Sequence, residues 1–283
     1  MSLPPAIFAQ ISRMSRSGSV LVLVAVLFAS CSQNNVNEDA SLKKYFDAAG
    51  VGGSFGLFDN GQGSFTIYNL LRFRDSAQSP AGTFDIVQSL IAIQTGVVKD
   101  DTALIATTAS TGEVGSCGGE LSLRQAFQNS CENGFGQLAR RIGKDTLKKW
   151  IDSLGYGNKD MSGGIDTFWL NNRLKVTADE QLGLMKKLYF DQLPFYQHTQ
   201  QVVRRMMQKE GNANYTLSYK TASGLNGAGH ASSWLLGWIE ENKHPYFFVL
   251  NLEAPGPDQQ ALNRGMGILH SILQQEGFFQ GKK

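Results

Sequence analysis

Two groups of alternating apolar and polar residues, at opposite ends of the chain, constrain the fold most strongly. Residues 53–59 and 63–69 alternate in this way, and Asn60-Gly61 lies between them. Asn-Gly between two such runs favours a tight β-hairpin turn. The same period of two returns in three later runs, at residues 215–221, 233–240 and 246–252. The pattern predicts a sheet assembled from both ends of the chain.

The middle of the chain has the apolar spacing of α-helices instead. The predicted helices cover residues 84–95, 121–142 as one helix or a pair, 144–153, 177–190 with Thr177 as N-cap, and 197–209. A closing amphipathic helix is predicted at residues 259–275. This order predicts an α+β protein, with an antiparallel sheet from both chain ends, helices on its faces and an inserted helical lobe.

Composition narrows the class of protein. With 283 residues, 42% hydrophobic and 18% charged, the chain suits a folded protein, and we expect one domain at residues 45–283. A net charge of +2 gives no indication of a nucleic-acid partner. The four histidines and three cysteines lack the spacing of a zinc site, and no phosphate loop or dinucleotide fingerprint occurs. Neither a metal nor a cofactor is therefore expected.

The N-terminal region has the pattern of an export signal. Arg13 and Arg16 precede a short apolar run at residues 20–28, which is followed by Ala29-Ser30-Cys31. Small residues before a cysteine resemble the lipobox of bacterial lipoproteins, in which that cysteine is lipidated. We predict a signal peptide at residues 1–31, lipidation of Cys31 and a polar tether at 32–44. The protein would then lie in the periplasm, held by lipid alone, with the outer membrane favoured over the inner. An ordinary secretory signal is the alternative.

Lipidation of Cys31 would leave Cys117 and Cys131 as a possible pair. An exported protein meets an oxidising compartment, where two cysteines can form a disulfide. The alternative is two unpaired small apolar side chains.

Several ordered segments resemble class D serine β-lactamases and the related sensor domains of β-lactam receptors. They lie between about residue 53 and residue 279, and are Pro80-Ala81-Gly82-Thr83-Phe84-Asp85, Tyr156-Gly157-Asn158, residues 162–170 and Gly237-Trp238-Ile239-Glu240. In that family the first segment contains Ser-x-x-Lys, with serine as nucleophile and a carboxylated lysine as base. Gly82 and Asp85 occupy these two positions, so the resemblance implies that no catalytic set is intact.

The second motif of the family, Ser-x-Val, corresponds to Ser130-Cys131-Glu132. The resemblance gives Ser130 a role in proton transfer or ligand contact, and a helix N-cap is the alternative. Glu132 replaces the valine that keeps the carboxylated lysine in apolar surroundings. Trp169 matches the tryptophan that hydrogen-bonds the carbamate. We expect it to pack the cavity floor or to pair its indole N–H with Asp85.

The third motif, Lys-Thr-Gly, corresponds to Lys220-Thr221-Ala222. The resemblance implies that Lys220 and Thr221 bind a carboxylate, and that the backbone N–H groups at Gly82 and Ser223 form an anion cradle. Because a carboxylate at position 85 replaces a lysine, we predict an ion pair with Lys220, direct or bridged by Ser130.

Arg264 resembles the family's arginine that binds the substrate carboxylate. The alternative is an ordinary surface arginine. The predicted ligand-binding residues are therefore Ser130, Trp169, Lys220, Thr221, Ser223 and Arg264.

These departures predict an inactive, exported penicillin-binding lipoprotein with a retained cleft. Its ligand would be a carboxylate-bearing β-lactam or peptidoglycan-like molecule, or an envelope protein. One alternative is a functional class D-type β-lactamase with an unorthodox nucleophile, such as Thr83 or Cys131. Another is a sensor domain for β-lactams or the cell wall.

Overall fold

A seven-stranded sheet forms the centre of the computed structural model, which describes residues 35–107 and 117–283. The strands are β1 (Val36–Glu38), β2 (Gly52–Asp59), β3 (Ser64–Tyr68), β4 (Leu104–Thr107), β5 (Gly119–Ser122), β6 (Gln208–Gly211), β7 (Tyr215–Leu225), β8 (Ala231–Glu241) and β9 (His244–Ala254). The large sheet has the order β1-β3-β2-β9-β8-β7-β6, and β4 and β5 form a separate pair. Neighbours are antiparallel except β1 and β3, which are parallel. The predicted sheet from both chain ends is confirmed.

Helices fill most of the chain between the two groups of strands. They are α1 (Lys43–Ala49), α2 (Leu70–Asp75), α3 (Asp85–Gln94), α4 (Leu123–Asn129), α5 (Glu132–Ile142), α6 (Lys144–Leu154), α7 (Ala178–Tyr189), α8 (Gln197–Met207) and α9 (Ala261–Gln275). Short 3₁₀ helices at Ala40–Leu42 and Ala81–Phe84 lead into α1 and α3. Of the two possibilities for residues 121–142, the pair of helices forms. Thr177 caps α7 in a capping box with Glu180, as its position predicts.

The sheet separates two apolar cores, and β8 shows how. Trp234, Leu236 and Trp238 point into the core shared with the helical lobe, whereas Leu235 and Ile239 point into the core beneath α9. A strand buried on both faces carries apolar residues at successive positions. The lobe therefore packs on one face of the sheet, while α1 and α9 pack on the other.

The folded unit begins earlier than the sequence suggests. Residues 36–44 were predicted as tether, yet β1 pairs with β3 and the compact unit starts at Val36. A polar sequence can form an edge strand because the pairing uses backbone groups, and the N–H of Asp39 donates to the carbonyl of Ile67 at 2.8 Å. The fully buried Leu42 then anchors the segment.

The predicted signal peptide, with Cys31, lies outside the described residues and stays a prediction. Within residues 35–107 and 117–283, no helix combines the length and the apolar character needed to cross a membrane.

Cys117 and Cys131 form a disulfide with Cα atoms 5.5 Å apart. The sequence allowed either a disulfide or two unpaired cysteines, and the structure has the disulfide. The bond ties the segment just before β5 to the residue that precedes α5, and it leaves Cys131 without a free thiol.

Two glycines on α9 provide a matched test of this packing. A Cβ on Gly265 would lie 2.7 Å from Leu252 Cδ2 and 2.8 Å from Leu235 Cδ1, whereas one on Gly267 meets no described atom beyond its own helix within 4 Å. Alanine in place of glycine favours a helix by about 1 kcal/mol at either position. We expect Gly267→Ala to raise the free energy of unfolding by roughly 0.5–1 kcal/mol.

We expect Gly265→Ala to be less stable than Gly267→Ala by about 1–3 kcal/mol, because it overpacks the core. Urea unfolding of both variants checks this. Equal stabilities would contradict the close packing of α9 on β8 and β9.

Candidate functional site

The nucleophile position lies against β7, at a buried part of the strand. A Cβ built on Gly82 would lie 3.6 Å from Ala222 Cβ, 3.6 Å from Asp85 Oδ2 and 3.7 Å from Ser130 Cβ. These are ordinary van der Waals distances, so the backbone here does not require glycine for space. The neighbours of Gly82 therefore leave space for a side chain that this residue lacks.

Asp85 and Lys220 form a buried ion pair, as predicted. Asp85 is the first residue of α3, and its Oδ2 lies 2.9 Å from Nζ of Lys220 on β7. The two residues are 2% and 1% exposed. The Lys220 ammonium also donates to the Phe127 carbonyl at 2.6 Å and to Ser130 Oγ at 2.7 Å. An ammonium has three N–H donors, so all of them are engaged.

Burial dominates the electrostatics of this pair. Desolvation raises the pKa of Asp85 to about 6, although the charge and the hydrogen bond of Lys220 act to lower it. Desolvation likewise lowers the pKa of Lys220, against the opposing effect of Asp85. In both residues burial disfavours the charged form more than the partner favours it. The position of Asp85 at a helix N-terminus helps to hold the carboxylate.

Ser130 belongs to the ion-pair network and does not act as a helix N-cap. It ends α4 with a left-handed φ of +54°, and Cys131 takes the N-cap position of α5. Its Oγ accepts from Lys220 and donates to the Thr221 carbonyl at 3.4 Å. The hydroxyl is thus held between the ammonium and the backbone of β7.

The backbone donors of the predicted anion cradle lie on two facing segments. Because the carbonyl of Thr221 accepts from Ser130, the polar backbone groups of Thr221 face the lobe. Alternate residues of a strand direct these groups to the same side, so the N–H of Ser223 faces the lobe as well. Gly82 is the second residue of a 3₁₀ helix, where N–H groups precede the first intrahelical bond.

Trp169 packs the floor of the site, which is one of the two predicted roles. It is fully buried, with its ring 5.5 Å from that of Phe84 and 5.0 Å from that of Phe168. Its carbonyl accepts from the N–H of Ala81 at 3.0 Å and from Ser79 Oγ at 2.7 Å. These contacts hold Ala81 at a left-handed φ of +47°, which fixes the direction of the Gly82 backbone.

The side chains considered as substitute nucleophiles are engaged elsewhere. Thr83 is fully buried, and its hydroxyl donates to the Pro80 carbonyl at 2.7 Å and accepts from Gln181 Nε2 at 2.8 Å. This places it behind the helix, away from β7. Cys131 is bonded to Cys117. Neither residue offers a group that could attack a ligand in the cleft.

A cavity of about 610 Å³ opens beside these residues. Its lining consists of Gln78, Ser79, Ala81, Glu132, Leu170, Asn172, Ser223, Gly224, Leu225, Asn226, Gly227, Gly229 and Ser232. Of the six predicted ligand-binding residues, Ser223 lies in this lining, while Lys220 and Trp169 are buried behind it.

The predicted role of Arg264 in carboxylate binding stays a prediction. This residue forms an ion pair with Asp258 at the start of α9 and does not belong to the cavity lining. The guanidinium pairs with a carboxylate six residues earlier in the chain, while its buried Nε has no hydrogen-bond partner among the described residues.

Residues 28–274 match the family model described as the penicillin binding protein transpeptidase domain. The chain belongs to this family. It is 31% identical over 264 residues to beta-lactamase OXA-5 of Pseudomonas aeruginosa, covering 92% of this chain and 97% of that protein.

Solved structures agree with this assignment. FUS-1 (OXA-85), a class D beta-lactamase from Fusobacterium nucleatum subsp. polymorphum, superposes with a TM-score of 0.80 at 28% identity and covers 87% of this chain and 100% of that one. The C-terminal domain of the Bacillus licheniformis BlaR penicillin-receptor superposes with a TM-score of 0.79 at 26% identity, and the match covers 86% of this chain and 97% of that one.

Apart from Ser223, the lining residues of this penicillin-binding domain were not predicted as ligand-binding, and three of them are polar residues that bear on the site: Glu132, Asn172 and Ser232. The sequence showed Glu132 only as a departure from the second motif, and its charge was the feature that could have indicated a position in the cavity lining. Asn172 and Ser232 belong to segments without a motif, and the fold alone brings them to the cavity. Ser232 is 8% exposed, and its Oγ has no hydrogen-bond partner among the described residues.

The pKa of Asp85 tests the ion pair. We expect a titration midpoint of about 6 for its carboxyl ¹³C signal, and a higher midpoint in Lys220→Met, because the lysine lowers that pKa. The folded state then binds this proton more tightly than the unfolded chain does. The contribution of Asp85 to stability therefore falls as the pH rises from about 4 to about 6.

The exposed Lys43→Met serves as the control and should leave the Asp85 midpoint unchanged. An Asp85 midpoint near the ordinary carboxyl value of about 4, or one that Lys220→Met does not move, would contradict the buried pair.

Proposed function

We propose that this chain is a non-acylating member of the penicillin-binding family that binds its ligand reversibly. The observation that carries the proposal is the pairing of Asp85 with Lys220 beside Gly82. Acylation needs a nucleophilic oxygen or sulfur at this position, together with a base that takes its proton. Glycine offers neither atom, and the residue in the place of the base is held in an ion pair.

The retained cleft supports binding without acylation. Backbone N–H groups at Gly82 and Ser223 can hold a carbonyl oxygen, since they do not depend on the missing side chains. We propose a β-lactam-like or peptidoglycan-like amide as the ligand, or a segment of an envelope protein. We further propose that the domain works in the cell envelope, on the periplasmic side and anchored by lipid at Cys31.

A sensor is the second candidate function. Similarity to the domain from the BlaR penicillin-receptor favours it, because that protein is named for reception and not for turnover. Both candidates share reversible occupancy of the cleft, and they differ in whether occupancy passes to a partner.

Labelling with a fluorescent penicillin, followed by denaturing electrophoresis, tests the proposal. We expect no covalent band from the native protein. The triple variant Gly82→Ser/Asp85→Lys/Glu132→Val restores nucleophile, base and apolar neighbour, and we expect it to give a band. The room around Gly82 accommodates the serine.

The controls are Thr83→Ala and Ser130→Ala in the native background, with folding checked by thermal unfolding. A native band that disappears in either variant would show acylation at an alternative hydroxyl, and would overturn the proposal.

A further inference from the structure

An unpaired hydroxyl lies in the lining of the cleft. Ser232 is buried there, and no described residue forms a hydrogen bond with its Oγ. It lies two residues before Trp234 on β8, and alternate residues of a strand point to the same face. Its side chain therefore faces the helical lobe, as that of Trp234 does. A buried hydroxyl without a partner costs stability, so its presence in a lining indicates that a ligand supplies the partner.

Small residues leave room around this hydroxyl. Gly224 on β7 pairs with Ser232 in the strand register, and a Cβ built on Gly224 would lie 3.6 Å from Ala81 Cβ. Ser232 and Gly224 thus form a floor, and Ala81 lies across the cavity from it. The volume of about 610 Å³ falls within the range of roughly 300–1,000 Å³ that is typical of small-molecule sites. A ligand of that size can therefore lie over the Ser232 hydroxyl.

The walls around the floor combine uncharged polar groups with apolar ones. Gln78 and Asn172 carry carboxamides, which both donate and accept hydrogen bonds. The Nδ2 of Asn172 donates to the Leu225 carbonyl at 3.0 Å, which leaves its Oδ1 as an acceptor. Leu170 and Leu225 add apolar surface. Glu132 also lines the cavity, but it already has an interaction within the protein. The uncharged groups therefore suit a neutral ligand whose hydroxyl and amide groups lie beside apolar surface.

We propose that Ser232 is a ligand-binding residue, and that the cleft takes a neutral ligand with neighbouring hydroxyl and amide groups, the chemistry of an N-acetylated sugar. The Ser232 hydroxyl donates to an oxygen of this ligand. The two carboxamides pair with its amide and hydroxyl groups, and the two leucines contact its acetyl methyl group and ring carbons. This inference deepens the proposed function and rests on it, because an acylated site would hold a covalent ligand in the same cavity.

Calorimetry with three neutral ligands and the full-length protein tests the ligand class. They are the disaccharide of N-acetylglucosamine, the glucose disaccharide with the same linkage, and an alanyl-alanine dipeptide with both ends blocked. The glucose disaccharide lacks the amide groups, and the dipeptide lacks the hydroxyl groups. We expect the N-acetylated disaccharide to bind about three- to tenfold tighter than either of the others, which is the effect of one hydrogen bond.

The variant Ser232→Ala tests the residue. We expect it to weaken binding of the N-acetylated disaccharide about three- to tenfold. It should not lower the melting temperature, because the hydroxyl that it removes has no partner among the described residues. Ser54→Ala is the matched control, since Ser54 on β2 is also buried with an unpaired Oγ and lies outside the lining. This control should likewise keep its melting temperature, and it should leave binding unchanged.

Four results would overturn the inference. They are no binding of the N-acetylated disaccharide at millimolar concentration, equal or tighter binding of either other ligand, equal affinities of Ser232→Ala and Ser54→Ala, and a lower melting temperature of Ser232→Ala, which would give its hydroxyl a structural role. Failure of the proposed function is distinguishable, because it would appear as a covalent penicillin adduct in the intact mass of the native protein. Such an adduct does not alter the ligand preference measured without penicillin.

Discussion

The buried ion pair between Asp85 and Lys220 is the interaction on which the rest of the site depends. It joins the start of α3 to the middle of β7, and through Phe127 and Ser130 it joins both to the end of α4. Removing one partner of a buried pair leaves a charge without compensation and costs about 3–5 kcal/mol. Where the family has its catalytic lysine, this chain has Asp85, and the negative charge of Asp85 balances the buried positive charge of Lys220.

The frame of the cleft persists independently of the acylation chemistry. The Trp169 carbonyl holds Ala81 in its left-handed conformation, and the Trp234 indole donates to the Ser79 carbonyl at 2.8 Å. Neither contact requires a side chain at position 82. The serine and lysine of the family motif are absent from positions 82 and 85, where glycine and aspartate stand. This arrangement supports the proposal that the chain can bind a ligand without acylation.

Local signals in the sequence predicted the parts of the structure that depend on near neighbours. Asn60-Gly61 gave the β2–β3 hairpin, and Thr177 gave the start of α7. The ion pair was also predictable, because Asp85 stands where the family has a lysine, and Lys220 of the third motif faces the same cavity.

Features that depend on distant segments or on the backbone could not be predicted in this way. The pairing of β1 uses backbone groups of a polar segment, and the sequence gives no periodic pattern for it. The engagement of Arg264 by Asp258 depends on how the chain enters α9. The resemblance pointed to a carboxylate-binding arginine, and the structure pairs this arginine with a local carboxylate. The contribution of Ser232 to the cavity follows from the register of β8 against β7.

A double-mutant cycle between Asp85→Asn and Lys220→Met, measured by urea unfolding, tests the central claim most directly. Each single variant should lower the free energy of unfolding by about 3–5 kcal/mol, because each leaves its partner buried and unpaired. The double variant should lose much less than the sum of the two, since no uncompensated charge remains. Additive losses would show that the two residues do not interact, and would contradict the account.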